Sequence, residues 1–137
     1  MKKLILIVLI ISSIYRLSSA QDITSSTISW EADNATNKDT GAGHSLACTF
    51  KSSPESVEWI QKKGELKTTY KIVSIEGTWP DVSQPGSIAF VVERNGNHSK
   101  IIFSRAHGQV TVAIDFSRPG QTYAMQEFNI KSVKTSN

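Results

Sequence analysis

Beyond residue 20 the chain alternates apolar and polar positions almost without pause, and no stretch shows the 3.6-residue period of an amphipathic helix. Residues that alternate over four to eight positions between Gly, Pro, Asn and Asp clusters predict β-strands. On that basis strands are expected over Thr27–Ala32, Ser45–Lys51, Val57–Gln61, Leu66–Trp79, Ser87–Arg94, Ser99–Arg105, Gln109–Phe116 and Thr122–Val133. The predicted fold is all-β, with about eight antiparallel strands in a sandwich or barrel.

Register can be tested in the second half. Asn95-Gly96 suits a two-residue type I′ turn, in which both residues take positive φ. Folding there sets Val92 against Ser99, Phe90 against Ile101 and Ile88 against Phe103, with the apolar residues on one face. A second turn at His107-Gly108 sets Phe103 against Val112 and Ile101 against Ile114. A third at Pro119-Gly120 sets Phe116 against Tyr123 and Ile114 against Met125. A one-residue bulge near Gln126-Glu127 then restores the pairs Val112–Phe128 and Val110–Ile130. A slip of one residue at any turn would send the apolar set outward. The outcome is a four-stranded C-terminal meander from Ser87 to Val133.

The first half is less regular. A hairpin closed at Lys63-Gly64 places Trp59 opposite Thr68 and Val57 opposite Tyr70, while Ile28, Trp30 and Ala32 share a face of the first strand. In the long fourth strand Leu66, Tyr70 and Ile72 keep one phase and Val73, Ile75 and Trp79 the other. Such a change predicts a bulge, a barrel corner or a strand shared by two sheets. Ala32–Gly43 reads as a polar linker, and Pro80–Gly86 as a connection carrying two prolines.

Residues 1–20 have a different pattern. Met1-Lys2-Lys3, the aliphatic run Leu4–Ile11 and the small residues Ser18-Ser19-Ala20 predict an export signal cleaved before Gln21. The run is interrupted by Ser12 and Ser13, closed by Arg16, and too short for the roughly 20 residues that cross a bilayer. The expected mature chain is one all-β domain over 21–137, secreted or periplasmic, with no membrane span. Cleavage removes three of the 15 Lys+Arg and leaves 12 against 12 Asp+Glu. A neutral chain lacks the basic footprint of a nucleic-acid binder.

Candidate chemistry is thin. His44 is expected in a Gly-flanked loop, and His98 and His107 at opposite ends of one strand, roughly 25–30 Å apart at 3.4 Å per residue. No metal site follows. Serines lack the Gly-x-Ser-x-Gly elbow. A carboxylate pair would require Glu58, Glu76, Glu93, Asp115 or Glu127 to converge, yet Glu93 and Asp115 point away from the apolar face. Asp33–Gly41 is rich in oxygen ligands but misses the EF-hand spacing. The single cysteine, Cys48, shares a strand face with Leu46 and Phe50 and is expected to be buried, an intermolecular disulfide being the rival. Gly77-Thr78-Trp79 resembles the Gly-x-Trp that opens lipocalin barrels. Only 58 residues follow it, too few for seven further strands, so no lipocalin function is carried over.

These readings assign no catalytic, cofactor or metal residue. Trp30, Trp59 and Trp79 form the candidate binding surface if a core already holding many large side chains does not absorb them, core or rim packing being the alternative. Asn34 and Asn97 open N-x-Ser/Thr sequons in expected loops and are candidate glycosylation sites. The expected function is a non-enzymatic binding or interaction module for an unknown protein, glycan or small ligand. The alternatives are a small secreted hydrolase with an unrecognised site and a structural subunit assembling through a sheet edge.

Overall fold

The computed structural model describes residues 22–115 and 125–136. The expected leader, the turn at Pro119-Gly120 and the pair Phe116–Tyr123 lie outside them. Eight antiparallel strands form the domain: β1 (Thr27–Asn37), β2 (Gly43–Ser52), β3 (Ser56–Gln61), β4 (Leu66–Glu76), β5 (Gly86–Arg94), β6 (Asn97–Ala106), β7 (Gln109–Asp115) and β8 (Gln126–Ser136). Each pairs with its neighbour in sequence, and β1 pairs with β8, closing a barrel rather than a sandwich.

The two turns expected in the second half set its register. Asn95 and Gly96 have φ of 52° and 75°, and His107 and Gly108 have 51° and 74°. The β5–β6 ladder then includes Phe90↔Ile101 and Ile88↔Phe103, and β6–β7 includes Ile101↔Ile114 and Phe103↔Val112. Between β7 and β8 the pairs Val112↔Phe128 and Val110↔Ile130 form as expected. Ile114, however, faces Gln126 and not Met125. That ladder is regular from Gln126 to Ile130, so the bulge expected at Gln126-Glu127 does not occur there.

The first half has two corrections. β1 does not stop at Ala32 but runs to Asn37, so the connector is only residues 38–42. Bulges on both sides of Asp33 change the strand's phase: Ile28, Trp30 and Ala32 point inward, and so does Ala35 after the slip. The phase change in β4 is also a bulge, with Ile72 opposite Val92 and Ser74 opposite Val91, leaving Val73 between them. β4 ends at Glu76, and Trp79 belongs to the following connection.

The lumen is filled by side chains. Trp30, Phe50, Phe90, Phe103 and Phe128 are fully buried, among Ile28, Val57, Ile88, Ile101, Val112 and Ile114. Burying each stabilises the fold by roughly 1.5–3 kcal/mol relative to exposure. Ile23, ahead of β1, and Trp79 and Val82, from the β4–β5 connection, join the same core at one end of the barrel. The ring of Trp79 lies 5.9 Å from that of Trp30, and its Nε1 donates to the Gln84 carbonyl at 2.9 Å. Gly86 makes this fit possible, since a Cβ there would sit 2.3 Å from the Trp79 ring.

Candidate functional site

Trp30 and Trp79 do not form a surface. They are buried, at 0% and 2% exposure, and the Trp30 Nε1 donates to the Ser52 hydroxyl at 2.9 Å. A barrel lumen is wider than the face of an open sheet, so it takes in the aromatics that a flat core would leave outside. Trp59 is half-buried, stacked on Phe50 at 5.9 Å and edge-on to Phe128 at 5.5 Å. Its indole N–H is buried, with only the weakly accepting Cys48 sulfur to interact with. Burial raises the Cys48 thiol pKa above its ordinary value.

The titratable residues are dispersed. His44 is in β2 and not in a loop, opposite Ala35. His98 is near the start of β6, and His107 lies in the turn after it. Glu58 pairs with Lys67 at 3.2 Å on the neighbouring strand, Glu127 with Lys38 at 3.2 Å just past the neighbouring β1, and Glu76 with Lys100 at 3.0 Å across the intervening β5, all on the outer wall. Among the described residues no three His, Cys, Asp or Glu side chains come together as metal ligands would. Glu31 accepts a hydrogen bond from the Ser132 hydroxyl at 3.0 Å and lies 3.7 Å from Lys134, which together hold its carboxyl below the usual range.

The two sequons differ. Asn34 lies within β1 rather than a loop, its Oδ1 accepting from Asn129 and its Nδ2 donating to Asp33. Asn97 is exposed at the first position of β6, beside a tight turn.

What the geometry singles out is β4. Among the described residues the large apolar side chains left exposed are Leu66, Val73 and Ile75, at 45%, 43% and 42%, and all three are on this strand. Leu66 opens the strand opposite Gln61, whereas for Val73 and Ile75 the cause is a mismatch of length. β3 has six residues and β4 eleven, and their ladder ends at Ser56↔Lys71. Ile72 N–H still reaches the Glu55 carbonyl at 2.9 Å, where the turn at residues 53–55 folds away toward β2. Past that point Val73–Glu76 continue beside β5 alone. Ile75 therefore sits opposite the fully buried Phe90 and yet remains in solvent.

β8 overruns its neighbour in the same manner. The β7–β8 ladder ends at Val110↔Ile130, while β8 continues along β1 to Ser136. This overhang reads Lys131-Ser132-Val133-Lys134-Thr135-Ser136, with Val133 packed against the core and two lysines exposed. Charges of that kind are a recognised guard on a sheet edge. The β4 overhang has none until Glu76.

Sequence reading saw the phase change in β4 but not its exposure. The signal was present in Ser53-Pro54-Glu55, a turn that shortens β3, but exposure of Ile75 depends on where a different strand begins. No protein-family model matches the chain, and no curated protein or solved structure matches it either.

Proposed function

We propose that this chain is a non-enzymatic interaction module, exported as a secreted or periplasmic domain, that engages its partner from the outside of the barrel. The observation that supports this is the exposure of Val73 and Ile75 on β4, along a stretch of edge that β3 leaves uncovered. An uncovered edge with apolar side chains suits pairing with another extended segment, whose backbone groups complete the ladder. The aromatic packing of the lumen supports the outer wall as the working surface. The wall itself alternates apolar-in and polar-out, the reverse of a membrane-spanning barrel, whose apolar band faces lipid. Among the described residues no helix is long and apolar enough to cross a membrane.

The test is a comparative capture from the extracytoplasmic fraction, with the 21–137 domain as bait and its Val73→Lys, Ile75→Lys variant alongside. Protein species held by the first bait and lost from the second are expected. A partner, glycan or small ligand retained equally by both would overturn the assignment to this flank.

A further inference from the structure

Resting on that reading, we infer that the segment which covers the β4 overhang is the same overhang of a second copy, so that the domain is a two-fold dimer built by antiparallel pairing of Val73–Glu76 with Val73–Glu76.

The first argument is self-complementarity. A two-fold contact must match a surface to itself, each residue meeting across the axis the one that meets it. Paired side chains share a face, so across a two-fold axis one residue must meet its own copy. Centring on Ile75 sets Ile75 against the partner's Ile75 and Ser74 against the partner's Glu76, all on the edge that β3 leaves free. The exposed Ile75 of each copy is then covered by the Ile75 of its partner.

Charge supplies a second argument. Lys71 stands two residues before Val73, is exposed and faces Glu93 across the β4–β5 ladder, with no carboxylate within 4.0 Å among the described residues. Glu76 stands at the other end of the overhang, its side chain 53% exposed. This register sets the partner's Glu76 opposite Ser74, next along the outer face to Lys71, twice by symmetry. A parallel arrangement would set like charges together, so the charges select the same geometry as the ladder. Glu76 is at present bound to Lys100 at 3.0 Å, an exposed contact that a second cation can share.

Third, β8 shows what this protein does with an overhang that stays in water. It places Lys131 and Lys134 there and ties Ser132 and Lys134 back to Glu31. The sequence Ile72-Val73-Ser74-Ile75 lacks that protection and has the β-branched composition that favours strand pairing. Because four residues per copy make a short interface, the dimer belongs with weak complexes, which bury less than about 1,200 Å².

Sedimentation velocity on the 21–137 domain, from about 10 µM to 1 mM, tests this. A monomer–dimer equilibrium is expected within that range, abolished by Ile75→Lys without change in the circular dichroism spectrum. Lys71→Glu should weaken association at least tenfold and the double exchange Lys71→Glu, Glu76→Lys should restore it, a pattern that nonspecific apolar adhesion would not give. A wild-type domain that is monomeric throughout, or a dimer indifferent to Ile75→Lys, overturns the inference. If the domain is monomeric but still captures another protein through Val73 and Ile75, the interaction module stands and only the identity of its partner is wrong.

Discussion

The wall formed by β5, β6 and β7 and the flank formed by β3 and β4 come from the same alternating code and end in opposite states. In the wall, neighbouring strands are similar in length and are joined by two-residue turns. Its ladders run without a slip from Gly86↔Arg105 to Arg94↔Asn97 and from Lys100↔Asp115 to Ala106↔Gln109. Its inward apolar residues, from Ile88 to Ile114, are all buried. On the flank a six-residue strand meets an eleven-residue one, and the apolar residues past the mismatch are left in water. Alternation states which residues turn inward. Whether they are sealed is decided by the length of the strand alongside.

The comparison is broken most directly by removing side chains. Phe103 in the wall is fully buried, 4.8 Å from the Trp30 ring and 5.6 Å from Phe90. Phe103→Ala should cost about 3–5 kcal/mol, the usual penalty for truncating a core aromatic. Ile75→Ala, opposite Phe90 but exposed, should stay within about 0.5 kcal/mol. Urea denaturation of both variants measures the contrast, and equal losses would mean that the flank is sealed after all.

A second test sits where wall and plug meet. Gly86→Ala places a methyl against the Trp79 ring, and overpacking of this kind costs about 1–3 kcal/mol. Replacing Trp79 by Leu in the same chain should relieve the clash. If the double variant is less stable than the sum of the two single changes predicts, Gly86 matters for another reason.

Much of the wall could be read in advance, because Asn95-Gly96 and His107-Gly108 admit one register each. The phase change in β4 was likewise visible in Ile72 and Val73. The end of β1 was not, since Asp33, Asn34, Thr36 and Asn37 look like connector residues and become strand only when β8 and β2 pair with them on both sides. The Ile114–Met125 pairing failed because it depended on counting through a connection whose length sets the register. Whether Trp30 and Trp79 pack inside or face outward is not legible in alternation alone, because it depends on a closed lumen wide enough to hold them. The flank was hidden for a related reason: the exposure of Val73 and Ile75 is a property of β3.

Alkaline titration gives a smaller effect, centred on interior groups of β2 and β4. Burial raises both the Cys48 thiol and the Tyr70 hydroxyl, the nearby Arg94 partly opposing the shift at Tyr70. Each releases its proton more readily once unfolded. Their contribution to stability is therefore complete at neutral pH and declines as pH rises through the ordinary thiol and phenol range, about 8.5 to 10. Thermal melts across that window should show the decline, and Cys48→Ala with Tyr70→Phe should flatten it. The same burial should leave Cys48 slow toward iodoacetamide in the folded domain and fast in urea.

The smallest effect costs no stability at all. Backbone amides of Val73–Glu76 should exchange with deuterium faster than those of Ile101–Phe103, because one side of the overhang has no strand beside it. Raising the protein concentration should slow that exchange if a second copy covers the edge.

Pairing of Thr27 with Ser136 also has a kinetic side. Six of the seven hairpins between consecutive strands can form while the rest of the chain is still being delivered, each from contacts close in sequence. β1 is different, because it must wait for the last eleven described residues before its second row of backbone groups finds partners. Contacts so distant in sequence close the largest loop the chain can make, and they slow folding accordingly. Until then the intermediate is an open sheet with β1 and β7 as its two raw borders. A chaperone that delays aggregation would act best by holding those borders.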